Sequence, residues 1–543
     1  MNIQFLGAAK VVTGSNILIT TKNYQLLIDC GLFQGSEELE KLNREPFQYN
    51  PEEIDFMLLS HAHIDHSGRI PKLVKEGFNG KIYCTNATYD LSDIMLKDSG
   101  HIHESDTKWL NKSRKRSGKK TLEPLYTVQD AENSLRYFEP VLYDQKININ
   151  DDISVRFKDA GHILGSSIIE LWIKEQEDTV KIVFSGDLGT SGKPIIRDPD
   201  FIKEADYLIV ESTYGNRIHE NKEFRMKKLM EIINDTVSKN GTVIIPSFAV
   251  GRTQELIYEL HKYYEEHDNI EEFLKIPIYI DSPMAISATE IFKKNTYAFD
   301  EEARKYILEG HNPLDFENLH YVRDHKESMR LNEADYPKVV ISASGMCTAG
   351  RVRHHLKHNL WKEKNAVVFV GYQAHGTLGR ILQEGVDSVK LLGEEIAVLA
   401  SIHSVEGFSA HADQNDLINW IGHFEKKPQK IFLIHGEEDN SRGLYELIKE
   451  KYNIKSLIPS MGYSFTVEES VLKEESGEML KPIERKEVIK RELQEVLQQF
   501  ENLEDKADQF LDEIVLEKEY DKIKNKLLDL QRELMDITML IGK

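Results

Sequence analysis

The chain has 543 residues, of which 40% are hydrophobic and 29% charged, and its formal net charge is −22. This length predicts two or three domains, and no apolar run is long enough to cross a bilayer. The acidic balance argues against a protein that coats nucleic acid non-specifically, because neutralising phosphates requires clustered lysine and arginine.

The N-terminal residues bear on location, and the spacing of the cysteines bears on their chemistry. The first residues, MNIQFLGAAKVVTGSN, lack the basic region and long apolar core of a secretory signal, so we expect a cytoplasmic protein. Cys30, Cys84 and Cys347 are widely spaced and odd in number. They fit neither a disulfide framework nor a paired-cysteine metal site, and we expect buried, apolar roles for them.

Short apolar strands in the first part of the chain, and one near position 432, end at residues that can bind a metal or carry a proton. The residues at these strand ends are Asp29, the group that starts at His61, His162, Asp187, Glu211 and His435. Strand ends lie at the rim of a sheet, where a rigid scaffold can hold several loops around one point. The pattern therefore predicts one composite site.

The segment SHAHIDHSGRIP (60–71) is the densest of these strand ends. Its candidate ligands are His61, His63, Asp65 and His66. The alternate residues His61 and His63 can share one side of the chain, and Asp65 and His66 can face a second metal about 3.5–4 Å from the first. Imidazole and carboxylate suit zinc or iron, and the absence of thiolate makes a purely structural zinc site a poor fit.

Three distant residues can complete these sites. His162 and His435 lie at glycine-flanked strand ends, and Asp187 in SGDLG can bridge two metals. The alternative for any single loop histidine is an ordinary polar surface residue. Four ligand types within six positions argue against that alternative here.

The segment KWLNKSRKRSGKK (108–120) concentrates positive charge. Its basic residues are Lys108, Lys112, Arg114, Lys115, Arg116, Lys119 and Lys120. Two interpretations stay open, a solvated mobile loop and a contact with nucleic acid.

Between positions 214 and 404 the pattern changes to strands that alternate with helices. Three segments run strand, glycine-containing loop and helix, which predicts a parallel α/β domain. Their loops contain the pairs Gly251-Arg252, Gly350-Arg351 and Gly379-Arg380. Helix N-termini offer free N–H groups and arginine is a forked donor suited to phosphate, so we predict a surface that holds several phosphates of one chain. Local salt bridges are the alternative for each arginine.

The last segment, 484–543, repeats apolar residues with 4,3 spacing over a charged background. This spacing predicts an amphipathic helix pair or a coiled coil, with a break between Ile514 and Ile523. The helices could fold back on the body or associate with a second chain. We favour a homodimer, because an uncovered seam would expose apolar area.

HAHIDH matches the HxHxDH signature of the metallo-β-lactamase fold, and the other strand-end residues follow in the order in which that fold supplies its motifs. The resemblance implies an α/β fold, an αββα sandwich with two zinc ions at its rim. The implied ligands are His61, His63 and His162 for one zinc, Asp65, His66 and His435 for the other, and Asp187 between them. Asp29 would orient a ligand histidine without binding metal.

Further segments resemble the β-CASP branch of that fold, the nucleic-acid hydrolases, over nearly the whole chain to about Val467. Glu211 in ESTYG, His411 in GFSAHAD and His435 in IHGEED match its motifs A, B and C. PSFAVGRTQEL, SPMA, SGMCTAGR and GYQAHGTLGR are also similar to its segments. A histidine at motif B is typical of RNA-acting members, so the resemblance favours prokaryotic relatives of the pre-mRNA 3′-end processing endonuclease subunit.

The resemblance also implies a domain arrangement. Residues 1–213 would form the first part of a metallo-β-lactamase domain, 214–404 an inserted β-CASP domain, 405–470 the last part with the RNA-metabolising metallo-hydrolase motifs, and 484–543 a C-terminal helical extension. Besides the three arginines, Ser247 and Thr377 are candidates for RNA contact.

The implied activity is that of a zinc-dependent ribonuclease acting on single-stranded RNA, an endonuclease with 5′-to-3′ exonuclease activity left open. A hydroxide activated by two zinc ions would attack phosphorus, and His411 would protonate the leaving oxygen. Asp65, Glu211 and His411 are the predicted catalytic residues. The alternatives are a DNA nuclease, a small-molecule metallo-hydrolase, a non-catalytic RNA-binding subunit and, for Glu211 with His411, a purely structural hydrogen bond.

Overall fold

The computed structural model describes most of the chain up to residue 467. The described residues are 1–175, 178–219, 224–266, 276–309, 311–374, 376–405 and 407–467, together with Lys524. The predicted helical extension at 484–543 lies outside the described residues apart from Lys524, so its coiled-coil seam stays a prediction. Across the described part of the chain, no helix combines the length and apolar character that a membrane span requires.

The first of two large sheets has seven strands. In spatial order they are β22 (Ser464–Thr466), β1 (Asn2–Phe5), β2 (Ile17–Thr20), β3 (Gln25–Ile28), β4 (Phe56–Leu58), β5 (Lys81–Thr85) and β6 (Phe138–Val141). β22, β1, β2 and β3 pair antiparallel, and β3 to β6 pair parallel.

The second large sheet also has seven strands. In spatial order they are β21 (Ser456–Leu457), β20 (Lys430–Ile434), β11 (Tyr207–Glu211), β10 (Asp178–Phe184), β9 (Ser167–Glu175), β8 (Ile153–Asp159) and β7 (Ile147–Asn148). β7 to β10 form an antiparallel meander, whereas β10, β11, β20 and β21 are parallel.

These two sheets pack face to face over one apolar layer. Alternate residues of their strands, such as Ile3 and Phe5 of β1 and Val155 and Phe157 of β8, are fully buried in it. Because successive side chains of a strand point to opposite faces, the other residues build outer layers that helices cover. Trp420 and Leu444 belong to one such outer layer. The result is the αββα sandwich that the sequence predicts.

A third sheet contains six parallel strands. Its strands lie between positions 242 and 404, after the first eleven strands of the sandwich and before its last three. In spatial order its strands are β14 (Leu319–Tyr321), β13 (Ile278–Ile280), β15 (Lys338–Ser342), β12 (Thr242–Pro246), β16 (Ala366–Phe369) and β19 (Ser401–Ser404). The central strands β12 and β15 are buried at every residue, as parallel strands covered on both faces require. A short hairpin joins β17 (Ser388–Leu391) to β18 (Glu394–Ala397).

The helices follow the strands in the alternating manner of α/β proteins. They are α1 (Glu37–Lys41), α2 (Ile64–Ser67), α3 (Ile70–Lys75), α4 (Asn86–Arg116), α5 (Val128–Ser134), α6 (Arg225–Ser238), α7 (Arg252–Glu266), α8 (Pro283–Lys294), α9 (Glu301–Leu308), α10 (His325–Glu333), α11 (Val352–Asn359), α12 (Leu378–Gln383), α13 (Gln414–Gly422) and α14 (Glu438–Tyr452). Short 3₁₀ turns occupy Pro51–Glu53, Leu135–Tyr137 and Thr296–Ala298.

Two sequence expectations can be compared directly with these elements. Cys30, Cys84 and Cys347 are free and buried, which confirms their apolar role. The interpretation of 108–120 as a mobile loop is wrong for its first nine residues, because α4 continues through them to Arg116. This part of α4 has no periodic apolar residues, so composition alone indicated a loop.

A buried ion cluster links β13 to two helices of the third sheet. Asp281 is completely buried, and its two carboxylate oxygens lie 2.6 Å from Arg351 Nη1 and 2.6 Å from His355 Nε2. Ser328 Oγ also donates to this carboxylate. These donors outweigh the cost of burial and lower the pKa of Asp281, so the group is a fully ionised anchor.

We expect Asp281→Ala to lower the free energy of unfolding by about 3–5 kcal/mol, because it leaves the buried His355 and the partly buried Arg351 without their carboxylate. Equilibrium denaturation in urea measures the change. Asp335→Ala is the control, since Asp335 pairs with Lys364 in the exposed layer and its loss should leave stability unchanged. Equal stability of the Asp281 variant and the parent would show that the cluster is not an anchor.

Candidate active site

The site lies where strands of both large sheets end. Asp29 follows β3, the 60–66 segment follows β4, and His162 and Asp187 follow β8 and β10. Asp29 and His435 have φ values of 59° and 50°, a left-handed conformation that non-glycine residues rarely adopt. Such residues cluster at functional sites, where the surrounding structure holds them in place.

Backbone hydrogen bonds tie the β3 loop to the start of the histidine segment. The amides of Cys30 and Leu32 donate to the carbonyl oxygens of His66 and Ile64. Gly31 sits between them with no room for a side chain, because a Cβ there would lie 1.6 Å from the carbonyl oxygen of Asp65. The close approach lets the short helix α2 pack on the loop and aim its side chains at the rim.

A first cluster of donors surrounds His63. His63 Nδ1 lies 3.1 Å from His61 Nε2 and 3.2 Å from His162 Nε2. Asp187 Oδ2 is 3.6 Å from both of those Nε2 atoms. These four donor atoms converge on one point, as a metal ion requires.

A second cluster adjoins the first. His66 Nε2 lies 3.1 Å from His435 Nε2, and His435 Nε2 is 3.5 Å from Asp65 Oδ2. The other oxygen of the Asp187 carboxylate, Oδ1, is 3.3 Å from His66 Nε2. Asp187 therefore lies between the two clusters, with one oxygen toward each.

The donor geometry fits metal ions. Ligand nitrogens around a tetrahedral zinc, with bonds of about 2.0–2.1 Å, are separated by about 3.4 Å, close to the contacts in both clusters. Asp187 Oδ1 is buried without a hydrogen-bond donor, which is expected of an oxygen that binds a metal. Imidazole and carboxylate without thiolate suit zinc, so the clusters constitute a metal site.

Burial also sets the protonation of the histidines. It lowers the pKa of His61 and His162 well below the ordinary value, and it lowers the pKa of His63 to about 4. These three imidazoles are neutral near pH 7, which is the form that binds a metal. Burial opposes the charged form of His66 as well, but the carboxylates of Asp187 and Asp29 raise its pKa.

Asp29 faces away from the metal clusters and orients one of their ligands. His66 Nδ1 lies 2.7 Å from Asp29 Oδ2, so His66 presents Nε2 to the second cluster. Ser60 donates to both oxygens of Asp29, through its amide and its hydroxyl, and Ser15 Oγ donates to Oδ2. This arrangement is the one that the sequence resemblance implies for Asp29.

We expect Asp29→Asn to weaken metal binding by about 10–100-fold, because the amide cannot accept every hydrogen bond that holds His66 in place. Competition with a chelator measures the affinity. Asp55→Asn provides the control, since Asp55 also accepts a backbone hydrogen bond, from Gln25, but lies away from the clusters. Unchanged affinity in the Asp29 variant would remove this residue from the site.

A third group adjoins Asp187. His411 Nδ1 lies 3.1 Å from Glu211 Oε2 and 3.9 Å from Asp187 Oδ2. Glu211 is buried, and its other oxygen accepts a hydrogen bond from the amide of Leu188. Burial alone would lower the pKa of His411, but the carboxylates of Glu211 and Asp187 raise it. Imidazolium is therefore favoured at the edge of the metal site.

The predicted phosphate-binding arginines have partners in the structure. Arg252 is buried beside Glu255, and Arg351 contacts Asp281 and the carbonyl oxygens of Val322 and Arg323. Arg380 is exposed and pairs with Glu384 one helical turn later. The salt-bridge alternative thus describes where these guanidinium groups lie, and their contact with phosphate stays a prediction.

The two remaining candidates also have local roles. Ser247 is buried and accepts a hydrogen bond from Thr253 Oγ1 at 3.1 Å. Thr377 Oγ1 accepts from the amide of Arg380 and so begins helix α12. Their contact with RNA is neither supported nor contradicted by these bonds.

Sequence reasoning missed the aromatic residues next to the site. Phe248 and Tyr372 are 44% and 53% exposed, and Phe248 packs against Gly345 and Gly371 at the ends of the third sheet. A Cβ on Gly251, in the same loop as Phe248, would lie 3.2 Å from Ile163, which follows the ligand His162. The segments PSFAVGR and GYQAHG contain these rings, but an exposed loop aromatic has no periodic signal.

Comparison with known families matches three consecutive parts of the chain. Residues 18–197 match the metallo-β-lactamase superfamily domain. Residues 253–382 match the Beta-Casp domain, and residues 395–459 match the Zn-dependent metallo-hydrolase RNA specificity domain.

Individual relatives support the same assignment. Ribonuclease TTHA0252 of Thermus thermophilus is 37% identical over 448 residues, which are 82% of this chain and 96% of the relative. Transcription termination factor FttA of Methanocaldococcus jannaschii is 31% identical over 469 residues, which are 84% of this chain and 70% of the relative. A crystal structure of a protein of unknown function from Enterococcus faecalis V583 has a TM-score of 0.50 at 13% identity, over 86% of this chain and 99% of that one, and is similar in fold alone. The chain therefore belongs to the metallo-β-lactamase superfamily, in the branch that combines a Beta-Casp domain with the Zn-dependent metallo-hydrolase RNA specificity domain.

Proposed function

We propose that the protein is a zinc-dependent ribonuclease that hydrolyses phosphodiester bonds of single-stranded RNA. The observation that carries this proposal is the position of Glu211 and His411, which place a proton donor beside Asp187 and both metal clusters. The metal clusters alone do not select a substrate class, because small-molecule hydrolases of this fold would need them too. The name of the Thermus relative, a ribonuclease, supports the same conclusion.

Two zinc ions fit the two donor clusters. His61, His63 and His162 would hold one ion, and Asp65, His66 and His435 the other, while Asp187 would contact both. When bound, the ions supply a nucleophilic water near neutral pH and offset charge on the phosphate. Asp65 would accordingly act as a ligand, and its Oδ2 lies 3.5 Å from His435 Nε2, a separation suited to two ligands of one ion.

His411 would donate a proton to the leaving oxygen of the ribose. Its Nδ1 is held by Glu211, so its Nε2 carries the proton that can be transferred. The His411 side chain is 22% exposed, whereas the Glu211 side chain is inaccessible to solvent. Glu211 is therefore the positioning residue, fixed in turn by the amide of Leu188. The structural alternative, a bond that only braces the domain junction, predicts that loss of His411 affects stability more than rate.

The preference for unpaired RNA has its own support. Phe248 and Tyr372 expose aromatic faces at the rim where the third sheet meets the metal loops. Aromatic side chains stack on unpaired bases of any sequence, and bases in a duplex are not available for such stacking. His411 at motif B adds to this, because the resemblance associates a histidine there with RNA-acting members.

Cleavage assays with the zinc-loaded full chain test the function. The substrates are a 5′-labelled single-stranded RNA, a DNA of the same sequence, the RNA in a duplex, a circular RNA and a lactam. We expect cuts in the single-stranded and circular RNA and no turnover of DNA or lactam. Cleavage of DNA but not RNA would overturn the proposal in favour of a DNA nuclease. Cuts in linear but not circular RNA would indicate an exonuclease and contradict an endonuclease.

The homodimer is a further part of the proposal. Its support is the 4,3 spacing of apolar residues in 484–543, which would bury its seam against a second copy. Light scattering compares the full chain with a chain that ends at Lys481. An unchanged ratio of mass to chain length would count against dimerisation through this segment.

A further inference from the structure

The C-terminal end of α4 and the turn after it form an exposed basic tip, defined here as residues 108–120. The preceding part of α4 packs on the core through residues such as Leu91 and Met95, and its last buried residue is Thr107. Beyond Thr107 no side chain of the tip is buried, and Trp109 is 71% exposed. A single exposed apolar side chain is ordinary by itself, so what distinguishes Trp109 is the charge of the residues around it.

The charge of the tip differs from that of the whole chain. Its basic residues are Lys108, Lys112, Arg114, Lys115, Arg116, Lys119 and Lys120. None of them forms an ion pair with any residue that the structure describes, although the chain as a whole carries a formal charge of −22. The tip is therefore a local cationic site that no carboxylate of the described residues neutralises.

The tip is also held in one shape. Arg114 Nε donates to the carbonyl oxygen of Lys120 at 2.7 Å and closes the turn. Asn111 exchanges two hydrogen bonds of 2.8 Å with the backbone of Leu122, so the chain returns along the helix. On the helix, Trp109, Lys112 and Arg116 follow each other at i, i+3 and i+7 and share one face. Cations thus lie next to an aromatic ring in a fixed order.

We propose that the basic tip is a second RNA-binding site, separate from the metal centre, and this inference rests on the proposed function. Trp109 would stack on an unpaired base, while Lys112 and Arg116 would contact the flanking phosphates. The combination of a basic track and an exposed aromatic ring is the chemistry that binds single strands without sequence preference. An acidic protein surface would neutralise the cations, but it would not need an exposed aromatic ring at a fixed spacing from them.

The position of the tip sets a length requirement for the RNA. The N-terminal end of α4 reaches the metal loops, because Thr88 Oγ1 donates to the carbonyl oxygen of Gly165, three residues after His162. From Thr88 to Lys112 the helix rises by about 36 Å. A stacked strand that advances about 3.4 Å per nucleotide needs on the order of ten nucleotides to cover this distance. An RNA of eight stacked nucleotides spans about 27 Å, so it can occupy the metal centre without reaching the tip.

Two variants and a matched control test the site in the zinc-loaded full chain. The first variant replaces Lys112, Lys115 and Arg116 by glutamine, and the second is Trp109→Ala. The control replaces Lys449, Lys451 and Lys455, three exposed lysines at the end of α14, by glutamine. The control removes the same charge and therefore isolates the effect of position from the effect of net charge.

Cleavage of a 30-nucleotide and an 8-nucleotide single-stranded RNA is the first measurement. For the longer RNA we expect KM to rise about tenfold or more in the first variant and roughly 5- to 150-fold in the second, the range for loss of one stacked base. The kcat should not change, and neither constant should change for the shorter RNA. An equal rise of KM for both lengths, or no rise for either, would overturn the proposal.

Binding of the 30-nucleotide RNA, measured by fluorescence anisotropy at several salt concentrations, separates the site from the catalytic function. Loss of the Lys112 and Arg116 phosphate contacts should reduce the slope of log K against log salt by at least about 1.4, and the control should retain the parent slope. Binding that depends on the tip without any RNA cleavage would overturn the proposed function and retain the site. Parent-like RNA binding combined with a lower mass in light scattering would assign the tip to protein association and overturn the inference.

Discussion

Replacing His411 by alanine is expected to lower kcat for RNA cleavage by about 10²–10⁴-fold, the contribution of a general acid that protonates a poor leaving group. KM should change little, because the ring acts on the departing oxygen and not on ground-state binding. Both metal clusters should keep their ions, since none of the seven residues proposed as ligands depends on His411. Metal analysis and single-turnover kinetics on the same preparation measure the two effects.

The same variant distinguishes three roles for His411. Asp187, Glu211 and His411 could themselves hold a metal ion, and loss of bound metal in the variant would then contradict the general-acid role. A large drop in thermal stability with a nearly unchanged kcat would favour the structural bond to Glu211. An RNA with a 3′-thio leaving group at the scissile bond needs no proton on departure, so this substitution should restore most of the lost rate. His423→Ala is the control, because the His423 ring hydrogen-bonds to Asn419 of its own helix end and stacks on Phe201, with no contact to the metal clusters among the described residues.

Replacing Asp187 by alanine should have the larger effect on the metal centre. Its oxygens lie 3.6 Å from His61 Nε2 and 3.3 Å from His66 Nε2, so one substitution removes a donor from each cluster. We expect metal affinity to fall by more than about 100-fold, since even residues that only orient ligands contribute about 10–100-fold. RNA cleavage should fall to background at sub-saturating zinc.

A zinc titration monitored by calorimetry tests this prediction. Asp206→Ala is the matched control: Asp206 is also an aspartate between β10 and β11, but it accepts from the amide of Lys181 and pairs with Lys426. The control should bind zinc like the parent. Two undiminished binding events in the Asp187 variant would show that this carboxylate does not bridge the metals.

Much of the fold followed from local pattern. Alternation of apolar residues predicts the strands, and the change to strand, glycine loop and helix after position 214 predicts the parallel third sheet that the structure contains. The candidate metal ligands could be recognised because HAHIDH places four donors within six residues and the others occur at strand ends. These features depend on residues that are neighbours in the chain, so the sequence displays them directly.

The contacts between residues far apart in the chain could not be predicted from local sequence patterns. Arg351 follows a glycine at a helix start, as predicted for a phosphate contact, yet its guanidinium lies on Asp281, which is 70 residues earlier. The 108–120 segment has loop-like composition, but α4 continues through it because the preceding turns are held on the core and Asn111 is bonded to Leu122. Both outcomes depend on partners that no window of sequence includes.

By itself, the sequence determined the candidate ligands, their order along the chain and, through the family resemblance, the layered α/β architecture, because residue type and motif spacing are properties of short segments. Only the tertiary structure showed the contacts themselves: Asp187 turns one oxygen toward each cluster, His66 is the histidine that Asp29 contacts, and Glu211 and His411 meet across 200 residues. The physical reason is that an imidazole has many partners of suitable chemistry, and chain packing selects the one that lies within 3 to 4 Å.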